Sequence, residues 1–201
     1  MKRLVKLENE KQTKANAIKL LVLNKKIIII TSILVAFVII MISVIITSTT
    51  YPLKYRDEIG YISKKYDVKA ELIAGIVYAE SNFNSSAISP KGAIGIMQIL
   101  PETAEWICGV MKIPYSERML FNPLYNIEIG TFYLTYLKEK FSGANAYVAA
   151  YNAGEGNVKL WLENDKYTQN GDIKTTPFKQ TNAYIEKVNK ATEYYKKVFS
   201  N

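Results

Sequence analysis

An uncharged stretch of 21 residues, from Ile27 to Thr47, divides this chain more sharply than any other feature of its sequence. As an α-helix it would be about 31 Å long, which matches the hydrocarbon core of a bilayer. Residues 1–26 hold eight lysines and arginines against two acids, Glu8 and Glu10. The positive-inside rule therefore predicts a single-pass protein of the cell membrane, with its N-terminus in the cytoplasm and its larger part outside.

A cleaved signal peptide is the alternative interpretation of the same stretch. Signal sequences usually carry only about 7 to 15 apolar residues, and no clear small-x-small cleavage motif follows here. We therefore prefer an uncleaved anchor. The expected organisation is a basic tail over residues 1–26, a membrane anchor over 27–47, a linker over 48–53 and one globular domain over 54–201.

The composition excludes several kinds of chemistry. The chain has no histidine and a single cysteine, Cys108, so Ser-His-Asp and Cys-His systems, internal disulfides and His- or Cys-ligated zinc sites lack their parts. Beyond residue 26 the chain holds 18 basic and 16 acidic side chains, so most of the net charge of +8 lies in the tail. A nearly neutral domain does not favour nucleic-acid binding. We expect chemistry based on carboxylates, amides, hydroxyls or lysine, with no metal and no cofactor.

Helical spacing dominates the outer part, and one predicted helix carries an acid on its apolar side. The apolar side consists of residues spaced three and four apart, namely Leu72, Ile73, Ile76 and Val77. Glu80 continues this stripe, which predicts a partly buried carboxyl group. Asp67 is placed to cap the start of this helix.

Other helices are predicted from caps and prolines. Asn122 and Pro123 open a helix to about Phe141 that is apolar all round, which is typical of a central helix. Residues 84–100 and 163–180 are rich in turn-forming or polar residues and are predicted as loops, the first with at most a short β element. Further helices are expected from Pro101, over residues 144–151, from Asn157 to Leu162 and over residues 184–198.

Four separated segments resemble the transglycosylase domain of the soluble lytic transglycosylase family. They are Glu80-Ser81-Asn82-Phe83, the stretch from Ser89 to Ala104 with Gly92-Ala93-Ile94-Gly95-Ile96-Met97-Gln98, Asn126-Ile127 with Gly130, and Ala150-Tyr151-Asn152-Ala153-Gly154. They span nearly the whole outer domain in the family's order. The resemblance implies a mainly α, lysozyme-like (α+β) fold and binding to the glycan strands of peptidoglycan. It also implies cleavage of the β-1,4 bond between N-acetylmuramic acid and N-acetylglucosamine.

Glu80 is the expected catalytic residue. Burial among apolar groups raises the pKa of a carboxyl group, as a general acid near neutral pH requires. Ordinary glycosidases use two carboxylates, and the sequence offers no convincing second one, because Glu102 and Glu105 suit the first turn of a helix. The resemblance implies a route that needs one acid. Glu80 protonates the leaving oxygen and then takes the proton of the sugar's own C6 hydroxyl, which closes a 1,6-anhydro ring.

The resemblance also implies a set of substrate-binding residues: Ser89, Gly92, Gly95, Met97, Gln98, Tyr151, Asn152, Gln180 and Tyr184. The two glycines are expected to let a sugar approach the backbone, and Gln98 to offer its amide to an acetamido group. Tyr151 is expected to donate its hydroxyl to Glu80 or to the reacting N-acetyl group. The sequence departs from the family at Leu100, where methionine is frequent, and at Gln180, where glutamate is frequent.

Two other functions remain open from the sequence. A lysozyme-type muramidase would hydrolyse the same bond with water, and a non-catalytic glycan-binding or assembly protein would keep the cleft without the reaction. The loss of a charge at Gln180 is the one feature that favours the third interpretation. A monomer is expected.

Overall fold

The computed structural model describes the backbone of residues 2–200 and the side chains of residues 14, 19–21, 23–43 and 51–200. The chain divides between Thr50 and Tyr51 into two compact units. The first unit is a single helix, α1, over Lys2–Thr50. Within it, Lys19–Ser43 is long and apolar enough to cross a membrane, as judged by length and composition. Residues 44–47 of the expected anchor lie outside the residues whose side chains are described.

The second unit is mainly helical, as the sequence predicts. Its elements in chain order are α2 (Arg56–Tyr66), α3 (Ala70–Ser81), α4 (Pro101–Met111), a 3₁₀ helix (Glu117–Phe121), α5 (Pro123–Lys140), α6 (Ala144–Ala153), α7 (Glu155–Leu162), β1 (Thr168–Gln169), β2 (Asp172–Ile173) and α8 (Lys179–Phe199). The two strands pair antiparallel, with Thr168 opposite Ile173. This hairpin lies within the predicted loop 163–180 and is too short to show a pattern in the sequence.

The expected linker lies partly in regular structure. Helix α1 continues through residues 48–50, and Tyr51 stacks on Tyr194 with ring centroids 4.6 Å apart. The hydroxyl of Tyr195 donates to the carbonyl oxygen of Pro52 at 2.6 Å. The first residues of the globular unit are therefore fixed against α8.

Helix α5 lies in the middle of the globular unit, as its apolar sequence predicts. It begins where Asn122 caps it, since the side-chain oxygen of Asn122 accepts the backbone N–H of Tyr125 at 3.0 Å, and Pro123 occupies its first turn. The prediction that Asp67 caps α3 is wrong. Asp67 ends α2 in a left-handed conformation, and Lys69 precedes α3 without a side-chain cap.

Helices α3 and α8 cross at short distance, and this crossing positions the site. Gly75 lies at the contact, where a β-carbon would meet the side chain of Thr192 and would come within 3.1 Å of the carbonyl oxygen of Val188. The buried face of α3 carries Ile73, Ile76 and Val77, all fully buried. The close crossing brings the last turn of α3 beside the first turns of α8.

The β hairpin is tied to α6 by one carboxylate. The Oδ2 of Asp172 accepts the backbone N–H of Asn145 at 3.0 Å, and its Oδ1 accepts that of Ala146 at 2.8 Å. A carboxylate at the N-terminus of a helix satisfies free N–H groups and complements the helix dipole. This contact fixes α6, whose last turns carry Tyr151 and Asn152.

Candidate active site

Glu80 lies in the last turn of α3, and its Oε1 accepts a hydrogen bond from the hydroxyl of Tyr184 on α8 at 2.7 Å. Lys187, nearly one turn further along α8, donates from Nζ to the carbonyl oxygen of Ala79 at 2.8 Å. Burial raises the pKa of Glu80 from 4.5 to about 7, although the Tyr184 hydrogen bond and the positive charge of Lys187 act in the opposite direction. The carboxyl group therefore titrates in the neutral range.

The loop that follows α3 is tied to the end of that helix. The hydroxyl of Ser81 donates to the carbonyl oxygen of Ile96 at 2.7 Å. Short antiparallel bridges join Ile88 to Ile94 and Ile94 to Ile99, which confirms the predicted short β element. The loop is thus a folded structure attached directly beside Glu80.

The side chain of Asn126 joins the loop to α5. This side chain is fully buried in α5, and its Oδ1 accepts the backbone N–H of Met97 at 2.8 Å. Its Nδ2 donates to the carbonyl oxygens of Ile94 at 3.0 Å and Leu120 at 2.9 Å. One side chain therefore satisfies three buried backbone groups and joins the loop, the 3₁₀ helix and α5.

Gly95 has a packing role in the loop, and its expected role of opening the backbone to a sugar stays a prediction. Its φ is +84°, and a β-carbon there would collide with the carbonyl oxygen of Leu120 and the side-chain amide of Asn126. Gly95 is required because the loop packs tightly against the interior. Gly92 (φ +82°) differs, because no described atom lies within 4 Å of the position of its β-carbon. It turns the chain between Lys91 and Ala93, which line the cleft.

The side chain of Met97 belongs to the interior of the globular unit. It is fully buried and packs where Gly130 leaves space, since a β-carbon on Gly130 would lie 2.6 Å from its sulfur. The carbonyl oxygen of Met97 accepts the hydroxyl of Tyr151 at 3.0 Å. The expected hydrogen bond from Tyr151 to Glu80 is therefore not formed, and Tyr184 makes it instead. The charge of Glu80 still raises the pKa of Tyr151, after the larger effect of burial.

A cleft of about 510 Å³ opens in front of Glu80. Six of the ten predicted site residues line it, namely Glu80, Ser89, Gln98, Tyr151, Asn152 and Gln180. Tyr184 lies behind Glu80, and the three remaining predicted residues belong to the loop. Residues that line the cleft but were not assigned to it from the sequence include Lys91, Asn157, Phe178 and Thr181. Lys91 lies within the stretch from Ser89 to Ala104, and Thr181 follows Gln180, so both are neighbours of residues that the sequence singles out. Asn157 lies outside the four segments that carry the resemblance, and the tertiary fold brings it here.

Two amides in the cleft are already oriented by hydrogen bonds. The Nε2 of Gln98 donates to the carbonyl oxygens of Ala87 at 3.1 Å and Gly95 at 2.8 Å. The Oδ1 of Asn152 accepts the hydroxyl of Thr181 at 3.1 Å. Gln98 can therefore offer a ligand its side-chain oxygen, and Asn152 its amide nitrogen. This specifies which atom of the Gln98 amide would be free for an acetamido group.

Glu80 is the only carboxylate among the described residues that line this cleft. Glu102 and Glu155 line a separate pocket with three aromatic side chains. Among the described residues no group of three or more His, Cys, Asp or Glu side chains could hold a metal ion. The arrangement offers one carboxyl of near-neutral pKa together with amides, hydroxyls and one lysine, Lys91, which suits acid catalysis on a polar substrate.

The sequence matches the family model described as "Transglycosylase SLT domain" over residues 57–173. The chain is 34% identical over 151 residues to a soluble lytic murein transglycosylase of Salmonella typhimurium, a match that covers 73% of the chain and 23% of that protein. It is 35% identical over 169 residues to a membrane-bound lytic murein transglycosylase C of Glaesserella parasuis, with 72% and 46% covered. The chain thus spans between about a quarter and a half of the length of these relatives.

Solved structures of lytic transglycosylases are also similar to this chain. An inactive mutant of the lytic transglycosylase Slt from Pseudomonas aeruginosa is similar with a TM-score of 0.69 and 31% identity, over 75% of this chain and 25% of that chain. The 70 kDa soluble lytic transglycosylase of Escherichia coli is similar with a TM-score of 0.67 and 32% identity, over the same shares. These similarities support the lysozyme-like fold expected from the sequence.

Proposed function

Because the chain belongs to the transglycosylase SLT domain family, we propose that it is a membrane-anchored lytic transglycosylase of peptidoglycan. It cleaves the β-1,4 bond between N-acetylmuramic acid and N-acetylglucosamine without consuming water. The observation that carries this proposal is Glu80, a half-buried carboxyl with a pKa of about 7 that lies in the cleft and is oriented by Tyr184.

In the first step Glu80 acts as a general acid. Its proton passes to the glycosidic oxygen while the bond from that oxygen to C1 breaks, and the oxygen of the substrate's own N-acetyl group stabilises the positive charge at C1. A pKa of about 7 keeps a large fraction of the carboxyl protonated near neutral pH. The hydroxyl of Tyr184 fixes the orientation of the carboxyl group throughout the step.

In the second step the ionised Glu80 acts as a general base. It takes the proton from the C6 hydroxyl of the N-acetylmuramic acid, and the C6 oxygen bonds to C1 to close the 1,6-anhydro ring. An intramolecular nucleophile gains from proximity and needs no second carboxylate to activate it. That Glu80 is the only carboxylate among the described cleft residues supports this route over two-carboxylate hydrolysis.

The remaining cleft residues bind the sugar. Gln98 accepts the N–H of an acetamido group through its side-chain oxygen, and Asn152 donates from its amide nitrogen. Ser89 and Gln180 lie in the lining and contact hydroxyls. Because Gln180 is neutral, it supplies hydrogen bonds to the substrate without changing the charge near Glu80.

The product distinguishes this function from its rivals. Digestion of peptidoglycan by the full chain in detergent should release fragments that end in 1,6-anhydro-N-acetylmuramic acid, as mass spectrometry would show. A muramidase would give reducing ends heavier by one water, and a non-catalytic binding protein would release nothing. Either of these results would refute the proposal.

Replacing Tyr184 by phenylalanine should change the pH profile. Glu80 must be protonated to start the reaction, so cleavage falls as the pH rises through its pKa of about 7. The Tyr184 hydrogen bond lowers the pKa of Glu80, so its loss should move this decline to higher pH. The rate at the pH optimum should fall roughly tenfold, the effect of one lost hydrogen bond to a charged group.

The measurement for Tyr184→Phe is the initial rate of fragment release between pH 5 and 9, a range of about two units on either side of neutrality. Tyr194→Phe is the matched control, because Tyr194 lies on the same helix and stacks on Tyr51. An unshifted profile in Tyr184→Phe would show that the hydroxyl does not act on Glu80.

In this proposal the apolar stretch over residues 27–47 anchors the enzyme, and the basic residues of the tail over 1–26 hold the N-terminus in the cytoplasm. The full chain should remain with membranes after washing with high salt and dissolve only in detergent. In intact cells whose membrane surface is accessible to added protease, the protease should cleave the globular unit. Residues 1–26 should remain protected inside the cell. Release by salt, or a protected globular unit, would contradict the anchor or its orientation.

A further inference from the structure

A second pocket of about 330 Å³ lies between helices α4, α5 and α7, outside the catalytic cleft. We call it the aromatic pocket. Its lining residues are Glu102, Thr103, Trp106, Tyr133, Tyr136 and Glu155. Aromatic walls with a few polar groups are typical of ligand sites, and the mechanism proposed above makes no use of these residues.

The three rings of the aromatic pocket form a corner. Tyr133 and Tyr136 lie nearly parallel, with an interplanar angle of 19° and ring centroids 6.2 Å apart. The indole of Trp106 is at 86° to Tyr133 and at 69° to Tyr136. Trp106 is 42% exposed, which is high for so large an apolar side chain. The indole of Trp106 and the rings of the two tyrosines therefore form two walls of aromatic surface that are steeply inclined to each other.

One ammonium group of the protein lies against two of the residues that line the aromatic pocket. The Nζ of Lys140 is 4.3 Å from the centre of the Tyr136 ring and 2.7 Å from the Oε2 of Glu155. Aromatic faces attract cations, and the carboxylate adds a charge-assisted hydrogen bond. Lys140 thus shows which chemical group the pocket accommodates.

The pocket holds more negative charge and aromatic surface than Lys140 uses. Its lining includes a second carboxylate, Glu102, on the same helix as Trp106. The ion pair with Lys140 and the nearby charge of Lys159 offset Glu155. Glu102 takes part in neither of these contacts and favours a further cation. A neutral sugar would make no use of this charge.

We propose that the aromatic pocket binds a primary ammonium group carried by the peptide part of peptidoglycan. The ammonium lies against Trp106 and Tyr133 and pairs with Glu102. This inference rests on the proposed function, since it assumes that peptidoglycan occupies the neighbouring cleft. It assigns to the enzyme a preference for strands whose peptides still carry a free amine.

The aromatic pocket adjoins the cleft, so one substrate can reach both. The ring of Tyr133 lies 5.5 Å from that of Tyr151, which lines the cleft. Leu100 lines the cleft, and Glu102, two residues further on, lines the aromatic pocket. A peptide that branches from a sugar held near Glu80 therefore has a short path to Trp106.

The test is a binding measurement that needs no turnover. The full chain with Glu80→Gln, in detergent, is co-sedimented with peptidoglycan sacculi whose peptide amines are free, and with the same sacculi after N-acetylation. We expect roughly threefold to tenfold weaker binding to the acetylated sacculi, in line with the loss of one cation–π contact and one ion pair. The difference should decrease in high salt, because the pocket is partly exposed.

Single substitutions test the contribution of each residue to the preference for free amines. Glu102→Gln and Trp106→Ala should each remove most of the preference for free amines. Lys140→Met should increase it, because it leaves Glu155 available for the ligand. Glu105→Gln is the matched control, an exposed acid of the same helix that is not part of the aromatic pocket, and it should keep the preference.

Equal binding to both kinds of sacculi, or binding to neither, would overturn the inference. A loss of binding to free and acetylated sacculi alike in Trp106→Ala would also overturn it and would indicate a sugar in the pocket. These outcomes are independent of the products of digestion. Failure of the proposed reaction would instead appear as absent anhydro ends in the chain that retains Glu80.

Discussion

Replacing Glu80 by glutamine should lower the rate of fragment release from peptidoglycan by about 10² to 10⁴-fold, the usual contribution of a general acid or base. Glutamine keeps the shape of the side chain and can still accept the hydroxyl of Tyr184, which donates at 2.7 Å in the native chain. It carries no transferable proton, so both steps of the proposed reaction fail together. The measurement is the initial rate of soluble product formation at pH 6.

Stability measurements separate this effect from misfolding. In the native chain burial raises the pKa of Glu80 from 4.5 to about 7. The folded state therefore holds the proton where the unfolded state has lost it, so the free energy of unfolding falls as the pH rises from 4.5 to 7, by up to about 3 kcal/mol. Glu80→Gln should lack this decline and be at least as stable as the native chain above pH 7.

Glu71→Gln is the matched control for activity, because Glu71 lies in the first turn of the same helix. Its activity should stay within about twofold of the native value, as is usual for surface changes away from a site. Glu80→Gln with native activity would remove Glu80 from the mechanism. Loss of activity in both variants would indicate damage to α3 rather than loss of an acid.

Replacing Asn126 by alanine should destabilise the globular unit by about 3 to 5 kcal/mol, since each orphaned buried polar group costs about 1 to 3 kcal/mol. The variant leaves the backbone N–H of Met97 and the carbonyl oxygen of Leu120 without their Asn126 partner, whereas the carbonyl oxygen of Ile94 still accepts the N–H of Ile99 at 3.1 Å. Water cannot easily replace it, because Asn126 is fully buried. Activity should fall as well, since Gln98 and Ser89 belong to the loop that Asn126 holds.

Asn122→Ala provides the comparison within the same helix. Asn122 caps α5 through one hydrogen bond to the backbone N–H of Tyr125, and the loss of such a cap costs about 1 kcal/mol. Urea unfolding of both variants in detergent, followed by tyrosine and tryptophan fluorescence, measures the difference. A loss in Asn126→Ala no larger than that in Asn122→Ala would show that the loop is held by other contacts.

Local patterns in the sequence predict the helices and one part of the site. The spacing of Ile73, Ile76 and Val77 with Glu80 predicts a partly buried acid, and the structure confirms this, since Glu80 is half-buried and burial raises its pKa. Asn122 and Pro123 predict the start of α5 correctly. These features depend on neighbours within two helical turns, so they can be recognised without knowledge of the fold.

Contacts between distant segments could not be predicted in this way. The hydroxyl of Tyr184 donates a hydrogen bond to Glu80, which lies 104 positions earlier in the sequence. The hydroxyl of Tyr151, the expected donor, instead donates to the carbonyl oxygen of Met97. Gly95 looks like a glycine that opens a loop to substrate, but the atoms that require it belong to Leu120 and Asn126. A motif identifies which residues matter, and the packing of other elements decides what each of them does.

Glu80, the single carboxyl among the described residues of the cleft, determines how protons are balanced over a cycle of the proposed reaction. If Glu80 first gives and then recovers one hydrogen ion, each turnover returns the protein to its starting state without exchange with the solvent. Proton transfer to or from buffer or water would then not increase the rate of the reaction. A bound glycan that closes the cleft to solvent would not slow the cycle. The rate should therefore be insensitive to buffer concentration at constant pH and ionic strength.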